Sequence, residues 1–167
     1  ILTPPNDFHR EALHLTKSNE FKPGEVKQEV RKSTIYGDAV EHYLRETPGQ
    51  LALQFCDSIE NATLAVERFR AAGVPSEVLS GETHPDVRRR VLKQFAKRQV
   101  LHIASCQLVD EGFDCPAVEV VLDTAPTTSL NRFRQRFGRG WRPAPGKVFT
   151  FYDFTGNVFT HGLPDAN

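Results

Sequence analysis

The chain has 167 residues, of which 39% are hydrophobic and 25% charged, the balance of one globular domain large enough to bury a core without staples. Lys and Arg together number 21 and so do Asp and Glu, so the formal net charge is zero and bulk charge argues for no partner. No apolar run approaches the ~18–20 residues of a membrane span and no secretory leader pattern opens the chain, so no membrane partner is expected.

Residues 1–35 mix charges and carry Pro4-Pro5 and Pro23-Gly24, which mark turns. A helix is predicted to begin near Gly24–Glu25 and a second to cover about Tyr36–Glu46, stopped by Thr47-Pro48-Gly49. The chain then alternates. Leu51–Phe55 reads as a strand. Asp57 followed by Glu60 reads as a capping box, opening a helix on which Ile59, Ala62, Val66 and Phe69 share a face and which Gly73 closes. Val74–Leu79, interrupted by Pro75, is a short strand, and Thr83–Arg98 a helix with Val87, Val91, Leu92 and Phe95 on one face. Val100–Ala104 and Val118–Leu122 read as strands, Ser129–Phe137 as a short arginine-bearing helix, Val148–Phe154 as a last strand, and the polar tail from Thr155 to Asn167 as irregular. Alternating strands and helices predict an α/β fold, a mostly parallel sheet with helices on both faces. Residues 1–47 are expected to form an extension or linker with helices, 48–155 the domain, and 156–167 a tail. In an open parallel sheet, ligands sit beyond the carboxyl ends of the strands, which directs attention to the residues after Phe55, Leu79, Ala104 and Leu122 and to the turn near Asp114.

Charge is unevenly distributed. No acidic residue lies between Asp123 and Asp153, whereas Arg132, Arg134, Arg136, Arg139, Arg142 and Lys147 do. Such a block fits an anionic partner or a solvated face. Within it, Gln135, Arg139 and Arg142 stand at i, i+4 and i+7, one side of a helical turn. Planar guanidiniums match phosphate oxygens and stay charged at physiological pH, and Gly138 and Gly140 leave room for another surface. The three cysteines Cys56, Cys106 and Cys115 are odd in number and lack CxxC spacing, as expected of reduced thiols in an intracellular, cytoplasmic protein; they and the scattered histidines predict no metal site. The sequence starts at Ile1 and contains no Met, from which a piece of a longer chain is expected.

The string Gln135-Arg136-Phe137-Gly138-Arg139-Gly140-Trp141-Arg142 resembles the Q-x-x-G-R-x-x-R motif VI of superfamily-two helicases, and Gly112-Phe113-Asp114-Cys115-Pro116 resembles their motif V. The resemblance covers about residues 48–155 and implies the second RecA-like, P-loop-NTPase-type domain of a helicase or translocase. By that resemblance Arg139 and Arg142 would be arginine fingers and Gln135 a γ-phosphate sensor. Asp114, Gly112 and Gly138 would lie at the nucleotide, and Ser58, Ser80, Gly81, Ser105 and Cys106 at a nucleic-acid backbone. Glu111 is acidic where many relatives carry Arg. The ending Asp153-Phe154-Thr155-Gly156-Asn157 with His161-Gly162 is similar to those of bacterial and phage DEAD/DEAH-type helicases. The 167 residues contain neither G-x-x-x-x-G-K-[ST] nor an Asp-Glu-x-[Asp/His] box after a strand. The implied cofactor, ATP with Mg2+, would therefore be held mainly by a partner N-terminal RecA-like domain, and this chain alone should hydrolyse little ATP. The implied polymer partner is nucleic acid, with DNA expected ahead of RNA. The alternative is a non-catalytic module that binds nucleic acid or protein.

Overall fold

The computed structural model describes residues 1–107, 117–140 and 145–164. A 3-10 turn at Arg10–Ala12 precedes α1 (Pro23–Lys32) and α2 (Ile35–Glu46). Then follow β1 (Ala52–Phe55), α3 (Ile59–Ala71), β2 (Ser76–Ser80), α4 (Pro85–Ala96) and β3 (His102–Cys106). The described chain ends with β4 (Val120–Asp123), α5 (Leu130–Gly140), β5 (Thr150–Asp153) and α6 (Asn157–His161). The five strands form one parallel sheet in the order β2-β3-β1-β4-β5. The predicted alternation and parallel sheet are present, with element ends displaced by one or two residues except at α5, which runs three residues past the expected Phe137 to Gly140.

The period-two alternation of the strands divides the core into two layers. Ala52, Ala104, Val120, Leu122 and Tyr152 face α1, α2 and α3, where they meet Val30, Ile35, Ala39, Tyr43, Val66 and Phe69. Leu53, Ile103, Val121 and Phe151 face the other way, against Val91 and Phe95 of α4 and Phe133 of α5. Residues 1–47 therefore pack on the same sheet as the rest, and Leu2 pairs in parallel with Tyr152 on the outer edge of β5. No described helix is long and apolar enough to cross a membrane.

Two local expectations change. The predicted Asp57–Glu60 capping box is replaced by Ser58, whose hydroxyl accepts from Asn61 N at 3.2 Å, while both carboxylate oxygens of Asp57 accept from Asn61 Nδ2 at 2.9 and 3.1 Å. The tail predicted to be irregular instead contains α6. Five residues are too short for periodicity to announce, and the helix is held by tertiary bonds: Asp153 Oδ2 accepts from Val158 N at 2.7 Å, and Gly156 takes the left-handed turn at its start (φ 73°).

A buried polar chain crosses the sheet. Gln54 Nε2 donates to Thr124 Oγ1 at 3.1 Å, which turns its carbonyl oxygen toward His102 Nε2 at 2.9 Å. His102 Nε2 must then carry the proton, and Nδ1 accepts from the Ser76 hydroxyl at 2.6 Å. The ring stacks on Phe69 with centroids 3.7 Å apart. Burial holds the imidazole neutral, pushing its pKa down to about 3 from 6.5. With the folded value depressed, the contribution to stability is present above the unfolded value and lost as pH falls. Relative to a His102→Gln variant, the parent should lose about 2 kcal/mol of unfolding free energy between pH 7 and pH 5, read from denaturant midpoints. A difference that stays flat over this range would contradict the assignment.

Candidate nucleotide-facing site

β1 sends its crossover toward β2, whereas its neighbour β4 sends its own toward β5. This reversal opens a crevice at the carboxyl ends of the strands. It is lined by Phe55 and Cys56 after β1, Ser105 and Gln107 after β3, and Arg132, Gln135, Arg136 and Arg139 of α5. Counted to its open mouth, it encloses about 410 Å³. Gln107, directly after β3, adopts φ 58°, in the left-handed region.

The geometry of α5 follows from its two faces. Phe133 and Phe137, four residues apart, pack on Phe151, and the Phe133 and Phe151 rings meet edge-on at 5.8 Å. Arg132, Gln135, Arg136 and Arg139 recur at i, i+3, i+4 and i+7 and so turn together toward the crevice. The helix start is fixed by the Ser129 hydroxyl, which accepts from Arg132 N at 3.3 Å, and by the Thr127 hydroxyl, which accepts from Ser129 N at 3.0 Å. At the other end Gly140 packs directly against Phe149: a Cβ there would lie 1.8 Å from Cε2, so a larger residue must displace that ring. Gly138 is exposed and has open space around its Cα, consistent with the expected access for another surface.

The arginines of the block are not equivalent. Arg136 Nη1 donates to Asp123 Oδ1 at 2.9 Å and to the Ala125 carbonyl at 2.5 Å, and its guanidinium lies 5.5 Å from the centre of the Phe55 ring. Asp123 is fully buried and the Arg136 side chain is 15% exposed. Arg136 is thus a half-buried counter-ion that ties α5 to β4. Burial raises the Asp123 carboxyl to about 6, while the Arg136 charge pulls the other way. Arg132 and Arg134 are exposed, and Arg132 reaches Glu20 at 3.3 Å. The members of the block thus differ: Arg136 lines the crevice and also ties the helix to Asp123, Arg132 and Arg139 line the crevice, and Arg134 is exposed. Nothing in the local sequence separates Arg136 from its neighbours. The available signal was Asp123, an acid directly after an apolar strand.

Of the residues singled out from sequence, Gln135, Arg139 and Ser105 come together around the crevice. The Ser105 hydroxyl donates to the Gln54 carbonyl at 3.0 Å, and Cys106 is buried beside it with its thiol pushed up to about 11 by burial. Ser80 closes β2; its hydroxyl accepts from Glu82 N at 3.2 Å and its own N–H donates to Thr83 Oγ1 at 2.9 Å. Gly81 is exposed, and a Cβ there would lie 3.6 Å from the Gln107 carbonyl, which places the turn beside the crevice rim. Ser58 is engaged as the cap of α3. Gly112, Asp114, Trp141 and Arg142 lie outside the described residues.

Comparisons with known proteins identify the family to which this fold belongs. The chain is 30% identical over 134 residues to a 51.5 kDa protein of a Lactococcus phage (isolate 7-9), covering 80% of this chain and 30% of that protein. It is also 30% identical over 158 residues to the putative mitochondrial ATP-dependent helicase irc3 of Schizosaccharomyces pombe, covering 91% of this chain and 26% of that protein. The chain thus spans less than a third of the length of these relatives. A third relative, 24% identical over 148 residues with 84% and 29% covered, is the ATP-dependent RNA helicase DDX47 of Drosophila melanogaster. The expectation of DNA ahead of RNA gains no support from these names. Among solved structures, the Escherichia coli DEAD-box protein SrmB, bound to regulator of ribonuclease activity A, superposes with a TM-score of 0.67 at 20% identity. That match covers 77% of this chain and 76% of that one, and the shared fold is the RecA-like C-terminal domain of helicases. The family model described as the helicase conserved C-terminal domain matches residues 36–144, and the chain belongs to that family.

Proposed function

We propose that this chain is the second motor domain of an ATP-dependent nucleic-acid helicase or translocase, completing an ATP site whose phosphate loop and Mg2+ ligands lie on a first RecA-like domain. The observation that carries this reading is the convergence of Gln135 and Arg139 on the crevice at the sheet's switch point, with Arg136 locking the helix that bears them. Guanidinium and carboxamide N–H donors suit the triphosphate of ATP, and the guanidiniums offer no oxygen ligand to Mg2+. Bound between the domains, ATP supplies the phosphoryl group whose hydrolysis drives opening of the cleft. Arg139, with Arg142 beyond the described helix, stabilises charge on the transferring phosphoryl oxygens; Gln135 contacts the γ-phosphate, and Gly112, Asp114 and Gly138 border the nucleotide. The turns after the strands, at Ser58, Ser80-Gly81 and Ser105-Cys106, meet the nucleic-acid backbone through backbone N–H groups, contacts that position a strand without reading its bases. Alternating grip between two such domains gives stepping.

On this reading the isolated 167-residue chain shows no ATP turnover above buffer, with or without single-stranded RNA or DNA, while the chain joined to its phosphate-loop domain turns over ATP at a rate that nucleic acid raises. Turnover by the isolated chain at the rate of the joined protein would refute the half-site.

A further inference from the structure

The segment before α5 is clasped from two distant parts of the chain. Asn157, at the start of α6, is fully buried and uses its whole carboxamide. Its Nδ2 donates to Asp123 Oδ2 at 2.9 Å and to the Ala125 carbonyl at 3.1 Å. Its Oδ1 accepts from Thr127 N and from Arg10 Nη1, both at 2.9 Å. Arg10 continues the clasp: Nη2 donates to the Thr127 carbonyl at 2.7 Å and Nη1 to the Thr155 carbonyl at 3.1 Å, with its guanidinium 4.9 Å from the centre of the Phe21 ring. His161 Nε2 meets the same Thr127 carbonyl at 2.9 Å. The clasped residues Ala125–Thr127 lead straight into Ser129, the cap of α5, and the Asp123 carboxylate that receives Asn157 on one oxygen receives Arg136 of α5 on the other.

We infer that Asn157 and Arg10 are positioning residues for the arginine-bearing helix: together they fix the loop and the Asp123 carboxylate from which α5 hangs, and so set where Gln135 and Arg139 stand. The inference rests on the proposed role of Arg139. Three features support a positioning role over a generic core role. The two side chains come from opposite ends of the chain and converge on one loop. All four hydrogen-bonding positions of the Asn157 carboxamide are used, which leaves one orientation. The clasp ends on the same carboxylate that anchors α5. Displacement of a reacting group by ~1 Å can cost 10²-fold in rate, so loosening this clasp should act on turnover far from any contact with nucleotide.

The test uses the natural protein with both motor domains and compares single-turnover and steady-state ATP hydrolysis in the parent, Asn157→Ala, Arg10→Met, Arg139→Ala and the double variant Asn157→Ala/Arg139→Ala. Asn157→Ala and Arg10→Met should each lower kcat by roughly 10–100-fold while KM for ATP moves little. Because Asn157 acts through α5, the double variant should be scarcely slower than Arg139→Ala alone. Multiplying effects in the double variant, or an Asn157→Ala protein that melts lower but keeps its kcat, would overturn the inference while leaving the half-site standing. Unchanged turnover in Arg139→Ala would instead remove the arginine role and the inference with it. Should Asn157→Ala not fold, Arg10→Met and its double variant with Arg139→Ala decide the matter, since Arg10 is only partly buried and Met keeps its aliphatic stem.

Discussion

Arg139→Ala, in the natural protein with both motor domains, should lower nucleic-acid-stimulated ATP turnover by roughly 10³-fold or more. The size follows from the chemistry. In phosphoryl transfer, negative charge spreads over the equatorial oxygens of the transferring group, and little covalent work is left for the protein beyond placing a cation against that charge. Two independent constraints hold Arg139 at the crevice: the Phe133–Phe137 stripe turns its face of α5 that way, and Arg136 pins the helix to Asp123. On the proposed half-site, in which a phosphate loop on the first domain holds the ground-state nucleotide, ATP affinity should change much less than turnover. Arg139→Lys should fall in between, because an ammonium keeps the charge but loses the planar fork. Turnover in Arg139→Ala close to the parent's would remove Arg139 from the reaction.

A large effect of another kind is expected at Arg136. Arg136→Met removes the cation and keeps most of the bulk, leaving the Asp123 carboxylate in the core with only the Asn157 donor and the weak bond from Ala125 N at 3.4 Å. Breaking a buried pair in this way costs about 3–5 kcal/mol near neutral pH. The pH dependence has a definite sign. The folded pKa of Asp123 is already raised to about 6, and loss of Arg136 raises it further, so the folded variant takes up a proton that the unfolded chain releases down to its ordinary value near 3.8. Its deficit relative to the parent should therefore be largest at about pH 7–8 and shrink toward pH 5, where a protonated carboxyl no longer needs the cation. His102 titrates alike in both proteins and cancels from this difference. Urea midpoints of the two proteins at three pH values measure it; a deficit that grows on acidification would contradict the account.

The architecture was legible because the strands and helices announce themselves locally. The period of the apolar residues and the stops at Gly73 and Pro48-Gly49 locate the β1–α3–β2 unit to within a residue or two, and a parallel sheet follows from the alternation. The carboxyl ends of the strands were legible as the place to search, but the strand order that opens the crevice there was not. What sequence could not give are partnerships across long separations. Arg10 and Asn157 meet over 147 positions, and Asn157 and Asp123 over 34. Neither asparagine nor arginine in a polar stretch carries a local mark of being buried, and a five-residue helix built on a left-handed glycine and an aspartate carboxylate shows no periodicity. Ser58 and Ser105 illustrate the same limit from the other side. Both stand at the ends of strands where a ligand-facing hydroxyl is expected, and both engage their hydroxyls within the fold, one as the cap of α3 and one as donor to the Gln54 carbonyl. Arg136 read as one more cation in a block, and only the tertiary fold assigns it to Asp123.

The central claim is that Arg139 completes an ATP site built mainly on another domain. Its most direct test is a crystal structure of the natural two-domain protein with ADP–aluminium fluoride, Mg2+ and a single-stranded oligonucleotide. The account predicts a closed cleft with the Arg139 guanidinium within about 3 Å of the fluoride ligands, hydrogen-bond distance for a charge-assisted donor. A closed, nucleotide-bound cleft in which Arg139 points to solvent or to the oligonucleotide would contradict it.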